Sequence, residues 1–283
     1  MLRKVNVARV AVDRPESDGE SGRARSENNV SVLGRFSEII GMFSETRPRV
    51  SLDDVQRQLG ISGATAYRYL SALTEMGMLS RFAGSYSIGP KVIELEHLLR
   101  NYDPVLAVAA PAIKQLSHQT KCDVLLCRIF GNSIINVVHE RGGMIDELLF
   151  KPGRTMPLFR GSQARIILAS LERRRLKKIY ESNTGNADRD RIGKDWKSFS
   201  KALAKNRRDG YYISRGELDV DAVGIAAPIL DLCTDVIGAL VVVFAASRPP
   251  EYTEAELIEL VKMAAGNISA SITELSSSRK ADM

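Results

Sequence analysis

Residues 51–89 read SLDDVQRQLGISGATAYRYLSALTEMGMLSRFAGSYSIG, and this stretch decides how the N-terminal third of the chain folds. Ser51 followed three residues later by Asp54 is a capping-box spacing, so a helix starts there. Gly60 stands where a helix takes a left-handed terminal residue, which ends that helix at about Leu59. Ser62 caps a second helix and Gly77 closes it. Within this second helix Ala66, Leu70 and Leu73 recur at helical spacing and form one apolar stripe. The opposite side carries Ala64, Tyr67, Arg68, Ser71 and Glu75. Two capped helices joined by a three-residue turn are the sequence form of a helix-turn-helix; the alternative is an ordinary helical hairpin.

The residues that follow favour the first reading. Met78 and Leu79 precede Arg81 and Phe82, then comes a turn at Ala83-Gly84-Ser85, then Tyr86-Ser87-Ile88-Gly89. Apolar residues alternating around a glycine-containing turn predict a short two-stranded ribbon. Helix-turn-helix plus ribbon is a winged helix, with Arg81 placed to reach a phosphate. Upstream, Val32, Leu33, Phe36, Ile39, Ile40 and Phe43 give a preceding helix its apolar face, capped by Asn29 or Ser31.

On these residues the chain resembles the IclR family of bacterial transcriptional regulators. The family's Thr-x-(aromatic or His)-Arg run appears as Thr65-Ala66-Tyr67-Arg68, its Leu…Leu…Gly pattern as Leu70, Leu73 and Gly77, and its wing ending as Tyr86-Ser87-Ile88-Gly89. The resemblance extends from about Val32 to about Leu275. One departure is local: family members often carry Pro-Lys-Ser where this chain has Ser62-Gly63-Ala64. The DNA-contacting set it implies is Ser51, Ser62, Gly63, Ala64, Thr65, Tyr67, Arg68 and Arg81.

At 283 residues, 44% of them apolar, the chain is long enough for two domains with real cores. No run approaches the ~20 apolar residues of a membrane-spanning helix, and the N-terminal stretch lacks the apolar centre of a secretory signal. Residues 1–29 are polar and charged in their greater part, which predicts a disordered tail. Cys122, Cys127 and Cys233 form neither an even set nor a closely spaced metal-ligand pair, so reduced thiols in a cytoplasmic protein are expected. The formal net charge of +6 is compatible with nucleic-acid binding. Yet from Ser31 to Pro90 the arginines 35, 47, 49, 57, 68 and 81 are nearly balanced by Glu38, Glu45, Asp53, Asp54 and Glu75. The denser basic region lies between Arg160 and Arg208, read as solvated helix faces. Net charge does not locate the DNA site; the motif does.

Pro90 opens a linker helix over 90–102, with Val92, Leu95 and Leu99 along it. Asp103-Pro104 then breaks the pattern, and a further helix carries Leu106, Ala110, Ile113 and Leu116. Partner packing on the linker fits the paired half-sites that a winged helix usually needs, so a homodimer or homotetramer is expected. Strands are predicted at Val124–Ile129 and Ile134–Val138 around Gly131-Asn132, then at Glu147–Phe150, Tyr211–Ser214, Ala222–Leu230 and Val236–Phe244. Helices are predicted at Ser162–Leu176, at Lys194–Arg208 with Trp196, Phe199 and Leu203 on one face, and finally through Ile258, Val261, Ala265, Ile268 and Ile272. The fold class is therefore α+β: a winged helix at 30–89, the linker, and an antiparallel sheet flanked by helices at 103–276, with a short tail at 277–283. The family resemblance makes this second domain GAF-like and effector-binding, on Pro157-Leu158 through Leu168-Ala169, Gly210-Tyr211 to Glu217, and the pair Ile225–Ile229 and Val236–Leu240.

A helix starting near Gly161-Ser162 directs free N–H groups outward, so a carboxylate effector is plausible there. The candidate pocket is Leu158, Gly161, Ser162, Ser214, Arg215, Val223, Gly224 and Ile225. Ser162 and Ser214 supply hydrogen bonds, Arg215 a partner for the carboxylate, and Val223, Gly224 and Ile225 an apolar wall. Neither metal nor cofactor is implied. Catalysis in the cavity is the competing reading, along with a domain that only self-associates. Against an enzyme, His97, His118 and His139 fall in different elements, no Gly-x-Ser-x-Gly elbow is present, and the cysteines lack a base partner.

Overall fold

A computed structural model describes residues 31–143 and 151–281; the expected tail at 1–29 and the strand expected at 147–150 lie outside them. The chain divides between Leu95 and Glu96 into two compact units, each with its own core.

The first unit begins with α1, Val32–Ile40. Of the two expected caps Ser31 is used, its Oγ accepting the Gly34 N–H at 3.1 Å. Ile39 is buried, but Val32 and Leu33 are 57% and 76% exposed, because the small core reaches only from Phe36 onward. Phe43 lies beyond the helix, partly buried against the same core. Helix α2, Leu52–Leu59, starts on the reciprocal capping box of Ser51 and Asp54 and ends at Gly60 with φ 62. That angle is comfortable only without a Cβ. Helix α3, Gly63–Glu75, starts at Ser62 and buries Ala66, Leu70 and Leu73. Gly77, at φ 72, lets the Met78 N–H return to the Leu73 carbonyl at 2.9 Å and stop the helix.

Strands β1 (Val50–Ser51), β2 (Leu79–Phe82) and β3 (Ser85–Ile88) form an antiparallel sheet in the order β1-β3-β2. The wing turn is Ala83-Gly84, both at positive φ, and is one residue shorter than expected because Ser85 already pairs with Phe82. Strand β1 was not foreseen; two residues are too few to show a period. Ile39, Val55, Ala66, Leu70, Leu73, Leu79 and Tyr86 meet in the core of this winged helix. Helix α4, Lys91–Tyr102, occupies the stretch read as a linker and buries none of its residues.

The second unit opens with α5, Pro104–Thr120, capped by Asp103, whose Oδ1 accepts the N–H groups of Val105 and Leu106. Ala109 faces the core where Ala110 was expected; Ala110 is exposed. Six antiparallel strands follow: β4 (Asp123–Phe130), β5 (Ser133–Glu140), β6 (Thr155–Met156), β7 (Tyr212–Arg215), β8 (Ala222–Leu230) and β9 (Val236–Ala245). Their order is β6-β5-β4-β9-β8-β7. The single helix expected over Ser162–Leu176 is two, α6 (Ser162–Ser170) and α7 (Arg173–Ser182), separated where Leu171 turns extended at ψ 149. A short α8 (Ala187–Ile192) precedes α9 (Trp196–Asp209), and α10 (Glu254–Ala281) continues past the boundary expected at 276.

Both faces of the sheet are covered, which explains why β8 and β9 are nearly continuous apolar runs. Leu125, Cys127, Ala226, Ala239 and Val241 pack with α6 and α9 on one side. Val124, Leu126, Ile225, Leu240 and Val242 pack with α5 and α10 on the other. Among the described residues no helix is long and apolar enough to cross a membrane.

Candidate functional site

Among the described residues, two places carry the candidate binding chemistry. The first is the outer side of α3. Burial of Ala66, Leu70 and Leu73 fixes the helix's rotation, and this leaves Ala64, Tyr67 and Arg68 in solvent. The Ser62 and Thr65 hydroxyls lie 3.0 Å apart at its start, and Ser62 Oγ accepts the Thr65 N–H. Gly63 packs on α2: a Cβ there would come within 3.0 Å of the Gln56 amide. Ser51 is engaged in its own cap, its hydroxyl donating to Asp54 Oδ2 at 2.8 Å and accepting the Asp54 N–H at 3.1 Å. The Ser51 N–H and hydroxyl, followed by the charge of Arg47, hold the Asp54 carboxyl down at about 2.

The near-balance of charge resolves once the ion pairs are sorted. Arg35 pairs with Glu38, while Arg47 and Arg57 both pair with Asp54. Arg49, Arg68 and Arg81 are exposed and have no carboxylate partner among the described residues. Arg68 leans over Tyr69 (5.7 Å to the ring centre) and Arg81 over Tyr86 (5.9 Å). The uncompensated cations are thus on α3, on the β2–β3 ribbon, and beside β1. Arg49 was not singled out from sequence; its only signal there was adjacency to a cap.

The second place is a small pocket over β8, with an enclosed volume of about 10 Å³, lined by Ser162, Gln163, Ser214, Leu218, Ala222, Gly224 and Val243. Cross-strand pairing sets Ser214, Gly224 and Val243 in one row across the sheet, and the start of α6 covers it. A Cβ on Gly224 would lie 2.7 Å from Ser162 Oγ and 3.1 Å from Ser214 Oγ, so the missing side chain is what opens the space. Ser162 is 1% exposed and Ser214 7%, and both residues line the pocket.

Three expected pocket residues lie elsewhere. Arg215, Val223 and Ile225 occupy the alternate positions of β7 and β8. Side chains alternate across a strand, so these three belong to the α5 and α10 face. Val223 and Ile225 are buried there, and Arg215 pairs with Glu254 of α10. Leu158 packs on the α6-side core without lining the pocket. Gly161 is the residue before α6 at φ 88, and its N–H donates to Glu217 Oε2 at 2.8 Å. Tyr212 donates to the other Glu217 oxygen at 2.8 Å, which helps place Leu218 of the same loop at the pocket edge. Burial first, and then the Glu217 carboxylate, push the Tyr212 hydroxyl up. Gln163, Leu218, Ala222 and Val243 were missed; the parity of Gly224 along β8 would have found Ala222.

Neither buried thiol is a ready nucleophile, since burial pushes Cys122 up to about 11 and Cys127 up to about 12. Among the described residues no group of three or more histidine, cysteine, aspartate or glutamate side chains is set to hold a metal.

Residues 32–81 match the IclR helix-turn-helix domain, and residues 97–270 match the bacterial transcriptional regulator IclR C-terminal family. The chain belongs to the IclR family of bacterial transcriptional regulators. Its relatives include the HTH-type transcriptional regulator KipR of Bacillus subtilis (strain 168), 28% identical over 247 residues, covering 87% of this chain and 98% of that protein. The Pca regulon regulatory protein of Pseudomonas putida is 24% identical over 214 residues, 75% of this chain and 73% of its own. A crystal structure of an IclR homolog complexed with 4-hydroxybenzoate, from Microbacterium hydrocarbonoxydans, superposes with a TM-score of 0.65 at 21% identity. It covers 86% of this chain and 99% of that one, which establishes the shared fold. The matched families and relatives are transcriptional regulators, not enzymes.

Proposed function

We infer that this IclR-family chain binds operator DNA by laying α3 in the major groove, and that a small organic acid held at Gly224 biases that binding. The contacts to bases and phosphates are Ala64, Thr65, Tyr67 and Arg68, with Ser62 and Gly63 at the helix start, where free N–H groups favour a phosphate. Arg81 reaches the backbone from the wing. Ser51 acts one step back, by holding α2. The functional division is 30–89 for DNA, 90–102 as connector and 103–276 for the effector, in a cytoplasmic protein.

The observation that carries the effector reading is the pair of Ser162 and Ser214 hydroxyls that border the pocket on either side of Gly224, in residues otherwise buried. A ligand with oxygen acceptors would take a hydrogen bond from each hydroxyl. No cation lines the pocket, so the start of α6 is the electropositive feature left for a carboxylate. The enclosed space is about 10 Å³, room for about one water molecule, so a small organic acid enters only as the start of α6 moves off the sheet. The related structure holds a small organic acid, 4-hydroxybenzoate. The exposed Ile93, Leu98 and Leu99 of α4 suit a second copy of the chain, which supplies the paired half-sites. Coupling between pocket and DNA is then of the usual order, about 1–3 kcal/mol.

Two measurements test this. Arg68→Ala should weaken binding to the promoter region beside the protein's own gene by ~1–3 kcal/mol in a gel shift, with the fold intact by circular dichroism; unchanged affinity removes Arg68 from the interface. A thermal-shift panel of small aliphatic and aromatic acids should find at least one that stabilises the full chain. If none does, the effector reading fails while DNA binding stands.

A further inference from the structure

We propose that the outer surface of helices α7 and α9 is a second, sequence-independent contact for the phosphates of duplex DNA. The inference rests on the DNA-binding reading but uses none of the winged-helix residues. Helix α7 holds five basic side chains against Glu181 alone, and α9 holds five against Asp209 alone. That surplus of eight exceeds the net charge of the whole chain, +6. The positive charge of this regulator therefore sits on two helices of the second unit, not on its nearly balanced winged helix.

Some of these cations have internal duties. Arg207 donates to the carbonyls of Ala169 and Leu171, closing α6, and Arg175 donates to the Gly131 carbonyl. Arg173 lies against Trp196, and Lys177 pairs with Glu181 at 3.6 Å. Six remain: Arg174, Lys178, Lys197, Lys201, Lys205 and Arg208. All are exposed, and none is within salt-bridge distance of a carboxylate among the described residues.

Their arrangement runs against the fold's own electrostatics. Lys197, Lys201, Lys205 and Arg208 follow one another at helical spacing in a single row, on the side of α9 opposite the buried Phe199 and Leu203. Like charges at that spacing repel. In α7 three consecutive arginines occupy the first turn, with only the N-cap Glu172 as an acid beside them, at the positive end of the helix dipole. Tyr180 packs on Phe199 and Trp196, so the two helices are held together with their charged sides turned away from the shared core. A local arrangement that lowers stability without a structural return points to function.

The chemistry selects the partner. Protein interfaces are depleted in lysine and organised around apolar anchors, and no large apolar side chain of α7 or α9 is among the exposed ones. The same lack leaves nothing to enter a bilayer. A duplex fits: the α9 row is ~16 Å long at 1.5 Å per residue, and over that length DNA presents ~10 phosphate charges.

The test is fluorescence anisotropy of the full-length protein across a salt series. Two duplexes are used, one from the promoter region beside its gene and one of unrelated sequence. The variant Lys197→Gln/Lys201→Gln/Lys205→Gln is compared with the parent. Every phosphate that the variant no longer neutralises should reduce the slope of log affinity against log salt by ~0.9, up to ~2.7 for three per chain. The reduction should be equal on both duplexes, with a thermal midpoint no lower than the parent's. An unchanged slope on both overturns the proposal and leaves an acidic protein as the candidate occupant. Arg68→Ala separates the two readings: loss of preference for the promoter duplex in that variant, with the triple variant unaffected, upholds the winged helix and refutes the α7–α9 contact.

Discussion

Gly224 shows how much one missing side chain can decide. Its strand neighbour Ser214 and the overlying Ser162 would close on any Cβ placed there. Gly224→Ala should therefore displace Ser162 locally, lower the thermal midpoint of the sheet domain slightly, and abolish the thermal shift produced by the effector while leaving the ligand-free DNA affinity unchanged. A variant that still responds would place the ligand elsewhere. At this same scale a reading of sequence goes astray for a simple reason. Val223 and Ile225 look like a pocket wall because they are apolar and flank the glycine, but flanking residues of a strand point to the opposite face. Arg215 follows the same rule and meets Glu254.

At the scale of elements, α2 depends on its first turn. The Asp54 carboxyl titrates at about 2 in the folded chain against an ordinary 3.8. A carboxylate whose folded value is depressed contributes stability that is complete above the ordinary value and disappears as pH falls toward the folded one. Asp54→Asn should accordingly lower the stability of the winged helix at neutral pH and flatten its acid sensitivity between about pH 4 and pH 2, as read by helicity melts at several pH values. Parent and variant losing stability in parallel over that interval would assign the acid sensitivity to another group. Helix α4 makes the opposite kind of case, with no buried residue and an apolar side left uncovered. Leu99→Asp should reduce the assembly size measured by light scattering. It should also weaken DNA binding, because paired half-sites are no longer engaged together.

At the scale of the whole molecule, the winged helix and the sheet domain each have a separate core. Leu70→Ala, in the smaller core, should cost about 2–5 kcal/mol. It should shift a first unfolding transition and spare a second one, observed as the melting of Trp196 fluorescence in the sheet domain. One merged transition moving as a unit would show that the two cores unfold cooperatively. Acting alone, the sequence determined whatever depends on near neighbours along the chain. The caps at Ser51 and Ser62, the left-handed stop at Gly60, the recognition-helix stripe and the strands β8 and β9 were all readable from local chemistry. Tertiary structure decided what needs two distant segments to be compared. Only when α6 lies across β7, β8 and β9 do Ser162 and Ser214 face each other over Gly224. Only when carboxylates are matched to arginines do Arg49, Arg68 and Arg81 emerge as the unpaired ones. Propensity acts over a few residues, whereas a pocket or an ion pair is a distance between residues far apart in the chain, and only the folded chain sets that distance.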